Sequence, residues 1–311
     1  MKQQFNSNYY FVFLSISFFL IISFLSACEE VPPDIIFEET VGDTSSVEQV
    51  DFEEIRKDTS FLKTTLPDAQ LQSVVIEEFS GVRCVNCPEG HRQSEAILEA
   101  FPQQAIVFTI HAGFLAAPYD FSKEDYVIDA GRDLYDFLEA EAVPAASINR
   151  IKFEGEQTIA LLLPSTWAGK VSGEFDKIPP LNLHLYKDFD ETSRKLDVYV
   201  QLQYLENQSV SQSVSVAITE SHIIDAQLNI LDNGEEEVTA DYEHNHVLRQ
   251  MITPATGQIL GETTEQGRVI VKRFSTVLPE NWNTEHLEIV AFVHQNGSDK
   301  RVLQGAKLKF K

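Results

Sequence analysis

The sequence predicts two fold classes joined end to end, an α/β unit over residues 71–178 and an all-β antiparallel sandwich over 179–311. Two observations carry this. Between 73 and 112 the apolar positions fall into a strand, a cysteine-bearing turn, a helix and a second strand, the opening of a βαβ unit. After Pro179-Pro180 the apolar period drops to two, the mark of half-buried strands. A third observation, an apolar N-terminus, bears on where the chain resides.

That terminus has a single Lys2 before a nearly unbroken apolar run from Tyr9 to Leu25, which reads as an export signal over residues 1–27. The tetrad Leu25-Ser26-Ala27-Cys28 resembles the lipobox of bacterial lipoproteins, which implies cleavage before Cys28 and lipidation of that residue. A retained anchor is the competing reading, because the run is almost long enough for a bilayer core of roughly 30 Å. Either way the rest faces an oxidising compartment where disulfides persist. The expected location is a membrane surface that faces the periplasm or the cell exterior.

Residues 28–70 are rich in acids, Ser, Thr and Pro, and read as a mostly disordered acidic tether with one strand near 35–37. Over the whole chain, 24 basic against 48 acidic residues give a net charge of −24. Such a field repels nucleic acid and anionic headgroups, so neither is an expected partner.

The α/β unit begins at the β-branched run 73–80. A helix fits 88–101, with Pro88 at a first helical position and Ala96, Ile97, Ala100 and Phe101 at helical spacing. Strand 104–112, a polar and aromatic segment 113–128, helix 128–141, strand 142–150 and helix 163–178 complete it. In the sandwich, strands fit 181–189, 195–206, 209–221, 268–277, 287–296 and 300–310, with turn signals at "DNGEE" and "QNGSDK". About seven strands of this kind resemble an immunoglobulin-like sandwich.

Chemistry concentrates in "EEFSGVRCVNCPEGHR" (77–92). The amides of a helix beginning after Cys84 favour its thiolate, and Arg83 adds a positive charge. Cys87, one turn into the helix, suits a resolving thiol. With Cys28 lipidated, the remaining two of three cysteines make one matched pair. Cys84, Cys87 and His91 spell C-x2-C-x3-H, but nothing nearby in sequence completes a tetrahedral zinc site. No metal and no cofactor is expected. His244 and His246 share a face if 244–246 is a strand, and a surface or pairing role is expected of them; His111 and His294 read as polar groups at sheet edges, and Trp167 as core.

The cysteine stretch resembles the thioredoxin-like superfamily. That resemblance implies a buried acid at Glu78 that moves protons, a cis-proline at Pro144 shaping a substrate groove, and peptide pairing beside Val143. Departures are Arg83 in place of the usual Trp, the inner pair Val85-Asn86, and a longer spacing from Cys87 to Pro144. Over residues 70–311 the sequence resembles the outer membrane protein 28 family, carried by "EEFSGVRCVNCPEG", "AVPAASINR", "HNHVLRQMITPATGQIL" and "LEIVAFVHQN". This implies a thioredoxin-like domain followed by a β-sandwich. Two functions stand side by side. One is thiol–disulfide exchange with protein or peptide partners, using Cys84, Cys87, Glu78 and Pro144. The other is a binding lipoprotein that works through the sandwich and keeps the cysteine pair as a structural disulfide.

Overall fold

A computed structural model of the chain describes residues 58–231, 233–261 and 264–311; the signal segment, Cys28 and the strand expected near 35–37 lie outside them. The first described strand lies inside the expected tether. There β1 (Thr59–Leu62) pairs antiparallel with a later strand, Thr59 opposite Val271 and Leu62 opposite Arg268.

Next come β2 (Val74–Ser80), α1 (Cys87–Ala100) and β3 (Ala105–His111). The two strands pair parallel, from Val74 opposite Ala105 to Ser80 opposite His111. Every residue of both is buried, which is why they read as continuous apolar runs. Pro88 sits in the first turn of α1, where its missing amide forfeits no helical bond. A 3₁₀ turn (Phe114–Ala116), α2 (Asp129–Phe137), β4 (Ala145–Ile148) and α3 (Trp167–Ser172) follow. The remaining strands are β5 (Leu181–Asp190), β6 (Lys195–Tyr204), β7 (Gln212–Glu220), β8 (Ile223–Ile230), β9 (Glu236–His244), β10 (Val247–Met251), β11 (Gln258–Gly261), β12 (Arg268–Val277), β13 (Leu287–Gln295) and β14 (Val302–Lys309).

The pairing of these strands overturns the expected fold class. Instead of a thioredoxin-like α/β domain followed by a separate immunoglobulin-like sandwich, strands from both halves share one eight-stranded sheet. Its order is β14-β13-β7-β10-β3-β2-β4, with β11 also on β7. The splice is β10, which lies antiparallel to β7 and parallel to β3, Val247 opposite Thr109. Edge pairing of β3 with β10 satisfies backbone groups that a free-standing α/β unit would leave to solvent. The described residues hold three short α-helices against fourteen strands, so the fold is mostly β. Sandwich content is present in part: a second sheet, β1-β12-β6-β5, stacks on the β7-β13-β14 end of the large one.

Each face of the large sheet has its own cover. One face joins the two halves in a single core, in which Val75, Phe108 and Ile110 pack with Leu134 and Leu138 around α2, and with Ala217, Leu248 and Phe292 from the later strands. On the other face, α1 and α3 cover β2 and β3 through Ile97, Leu98, Trp167 and Val171. The four-stranded sheet covers β7 and β13 through Leu183, Val198, Val200 and Leu202. The hairpin β8–β9 belongs to neither sheet and lies over the cysteine turn. No helix among the described residues is long and apolar enough to cross a membrane.

Candidate functional site

Cys84 and Cys87 are joined as a disulfide, with 5.4 Å between their Cα atoms. Both are buried, Cys84 at 2% and Cys87 at 0% exposure. The turn that presents them is closed locally by the Cys84 amide on the Gly81 carbonyl (3.0 Å) and the Cys87 amide on the Cys84 carbonyl (3.2 Å). Strand β8 then docks on it. The Leu228 amide donates to the Val82 carbonyl (2.8 Å), and the Gln227 side-chain amide donates to the carbonyls of Cys84 (3.1 Å) and Gly81 (3.3 Å). Arg83, expected to lend its charge to Cys84, is instead held by the 115–119 loop. Its guanidinium donates to the carbonyls of Ala117 (2.8 Å) and Pro118 (2.6 Å) and stacks 4.3 Å over the Tyr119 ring.

Glu78 and Pro144 do meet, around a residue that sequence reasoning passed over. An added Cβ on Gly90 would lie 2.7 Å from Glu78 Oε1, 3.2 Å from Pro144 Cβ and 3.2 Å from the Trp167 ring. Gly90 therefore lets α1, one turn after Cys87, approach both. The Val143-Pro144 peptide is cis. Two residues beyond the proline, Ala146 of β4 exchanges backbone bonds with Leu161 (3.0 and 2.8 Å).

Glu78 is fully buried, and its Oε2 accepts a hydrogen bond from the Ser94 hydroxyl (2.7 Å). Its Oε1 has no hydrogen-bond partner among the described residues, and His91 Nε2 is 3.8 Å away. Burial pushes the carboxyl up to about 8; the Ser94 hydrogen bond opposes the shift and Glu95 adds to it. His91 is placed between Ser80 Oγ (2.8 Å) and the Tyr242 hydroxyl (2.7 Å). Its ring centroid lies 6.4 Å from that of His244, which is 5.7 Å from that of His111. Burial first, then neighbouring positive charge, lowers His91 to about 3 and His111 well below its ordinary value; burial lowers His244 to about 4.

His111 and His294 are thus buried strand residues and not edge groups. His244 and His246 separate: His244 enters this cluster, while His246 pairs with Glu95 at 3.4 Å. The described residues contain no group of three or more ligands arranged to hold a metal. Sequence reasoning missed Gly90, Ser94 and Gln227. The first two could have been found from their positions on the Cys87 face of the helix; Gln227 is distant in sequence and carried no signal.

A comparison with curated proteins finds no match. Among solved structures, HBP35 of Porphyromonas gingivalis is similar in fold, with a TM-score of 0.61 at 15% identity, over 78% of this chain and 76% of that one. A domain of the outer membrane lipoprotein Omp28 from Porphyromonas gingivalis aligns at 20% identity over 43% of this chain and 89% of that one, with a TM-score of 0.29. A protein from Agrobacterium tumefaciens aligns at 10% identity over 78% and 97%, with a TM-score of 0.44. The family described as Outer membrane protein Omp28 matches residues 132–311. That match spans more than half of the sequence, and the chain belongs to the Omp28 family of outer membrane proteins.

Proposed function

We propose that this chain is a lipid-anchored outer-membrane binding protein in which the Cys84–Cys87 disulfide is a structural clamp beneath the β8–β9 hairpin. The observation that carries the reading is that both sulfur-bearing residues are buried and their turn is bound over by Gln227 and Leu228. Exchange requires an attacking thiolate to reach a sulfur in line, and that approach is covered. The lipobox at Cys28 supports the anchor, and Glu29 and Glu30 after it favour the cell-surface face.

The deciding experiment equilibrates the protein with glutathione and dithiothreitol buffers and counts thiols by alkylation. A structural bond has a potential below about −300 mV. A value between about −120 and −270 mV, together with insulin-disulfide reduction that Cys84→Ser abolishes, overturns this reading. Protease treatment of intact cells tests the face: cleavage before the outer membrane is broken supports the surface, and cleavage only afterwards the periplasm.

A second reading, thiol–disulfide exchange with protein partners, is favoured by one observation. Glu78, a buried carboxyl that holds its proton near neutral pH, lies under Gly90 one turn from Cys87. In that reading Cys84 attacks, Cys87 resolves and Glu78 exchanges the proton, and the hairpin has to move aside first.

A further inference from the structure

The β8–β9 hairpin closes over the cysteine turn, yet little of what holds it there is apolar. Four of its residues are buried, Asp225, Ala226, Gln227 and His244, and three of those are polar. Ile224 and Ile230 are exposed. The bonds from Leu228 and Gln227 tie β8 to the turn, and Asp225 accepts from the amides of Lys123 (3.0 Å) and Glu124 (2.8 Å). An element outside both sheets and held by a few polar bonds belongs to the low-stability end of a fold.

Where β9 meets the rest of the chain, imidazoles gather from three elements. The ring of His244 on β9 lies 5.7 Å from that of His111 on β3, 6.4 Å from that of His91 on α1 and 5.0 Å from that of Tyr126. Among the described residues, neither ring nitrogen of His111 has a hydrogen-bond partner, nor do His244 Nδ1 and the Tyr126 hydroxyl. Both nitrogens of an imidazolium donate, so a charge on His111 or His244 creates buried N–H groups with nothing to accept them.

The charged groups around the cluster do not repair this. Glu78, 3.8 Å from His91, is a neutral acid below about 8, and Arg92 adds positive charge beside His91. Asp225 on β8 favours a charged His244, but burial outweighs it. Glu124 and Glu220, which face Tyr126, are paired with Arg249 (2.9 and 3.5 Å). Tyr242 of β9 already shares its hydroxyl with His91. By contrast, His222 and His246 at the open end of the hairpin meet Glu243 (2.6 Å) and Glu95 (3.4 Å), so a charge on either finds a carboxylate.

We propose that the hairpin is an acid-released cover, which lifts off the cysteine turn when His91, His111 and His244 take up protons, while both sheets stay folded. With the hairpin closed, all three hold a proton less readily than a free imidazole does, His91 at about 3 and His244 at about 4. Each therefore gains a proton on opening, so its hold on the hairpin is full above about 6.5 and is lost as the pH falls. For each pH unit below about 6.5, one such group shifts the ratio of closed to open by up to about tenfold, and three together by up to about a thousandfold. Glu78 is buried beneath α1 and not beneath the hairpin, so it does not offset this. Acid thus uncovers the disulfide that neutral pH keeps sealed. The cover works in the same way whether that bond is a structural clamp or an exchanging pair.

The test is hydrogen exchange read by mass spectrometry on the full chain in non-ionic detergent, at about pH 7.5 and about pH 5, with rates corrected for the chemical pH dependence of exchange. The amides of β8 and β9 should lose at least about a hundredfold of their protection at the lower pH, with β6 and β13 unchanged. His244→Gln and, separately, His111→Gln each remove one proton from the count, and each should shrink that loss about tenfold or more. His222→Gln should leave it unaltered. Reduction of the disulfide by a phosphine, measured against oxidised glutathione, should speed up at least about tenfold over the same pH step. Equal protection at both pH values, sheets that open together with the hairpin, a loss undiminished in both cluster variants, or a reduction rate that does not rise overturns the proposal. A redox potential in the exchanging range would sink the structural-clamp reading and leave the cover standing.

Discussion

Glu77 and Glu78 are adjacent on β2, both are fully buried, and they have opposite fates. Successive strand residues point to opposite faces. Glu77 therefore enters the core shared by the two halves of the chain, where Arg150 grips it with two hydrogen bonds, Nε to Oε2 (2.8 Å) and Nη2 to Oε1 (2.7 Å). The guanidinium is also sandwiched, 4.8 Å over Phe292 and 5.4 Å over Phe137. Glu78 enters the face under α1, where no Lys or Arg among the described residues pairs with it, and it keeps its proton up to about 8. The difference shows that burial alone does not decide what an acid does. A buried acid with a fork-shaped cation holds elements together, while one without stays a neutral donor that can still change state.

The sharpest way to break the comparison is to remove the cation. Arg150→Met leaves Glu77 buried without its cation, with only the Ser147 hydroxyl (3.4 Å) beside it, and should cost ~3–5 kcal/mol in denaturant unfolding. Adding Glu77→Gln should restore much of that loss, and a double variant as unstable as the single one would mean that Arg150 acts by packing on Phe292 instead. Next in size is Gly90→Ala, whose new methyl meets Glu78 Oε1, Pro144 and Trp167. A drop of ~1–3 kcal/mol is expected from such overpacking, read as a lower thermal midpoint, and an unchanged midpoint would show that α1 is free to shift.

The pH dependence separates the two acids further. The folded-state pKa of Glu78 is raised from 4.5 to about 8. Its contribution is therefore full below about 4.5 and is lost as the pH rises towards 8. His91 and His244 act in the opposite sense, because their folded values, about 3 and about 4, lie below 6.5. Their contribution is present above about 6.5 and is lost as the pH falls towards those values. Stability measured by denaturant from pH 4 to 9 should therefore pass through a maximum near 6.5, and Glu78→Gln should flatten the alkaline limb and steepen the acid one. The smallest expected effect is that of Gln227→Ala, which removes hydrogen bonds to Gly81 and Cys84. It should cost ~0.5–1.5 kcal/mol and speed alkylation of the reduced cysteines, with little change at Arg150.

The strands and helices that were legible in the sequence are those whose own pattern decides them. The apolar runs of β2 and β3, Pro88 at the start of α1 and the alternation of β12 all told truly. The hairpin β8–β9 stayed hidden although its "DNGEE" turn was visible, because β9 is mostly exposed and dense in acids and so lacks an apolar alternation. β1 is hidden because its four residues are mostly exposed and too few to show a period. The fold class failed at one place, β10: nothing in "VLRQM" says that Val247 will lie beside Thr109 and weld the two halves into one sheet. Spacing picked out Cys84 and Cys87, and the resemblance pointed to Glu78 and Pro144, yet the meeting of the last two around Gly90, and the cover that Gln227 provides, depend on contacts between distant parts of the chain.

The early strand β1 has a mechanical consequence. With the anchor proposed at Cys28, drag on the folded part is delivered to the four pairs from Thr59–Val271 to Leu62–Arg268. They are reinforced by Asp58, which accepts from Lys272 Nζ (3.0 Å) and the Arg273 amide (2.9 Å), and by the Lys63 amide on the Gly267 carbonyl (2.9 Å). A pull on the chain ahead of Asp58 therefore meets this short clip, on one edge of the smaller sheet, before it meets the sheet that carries the cysteine turn.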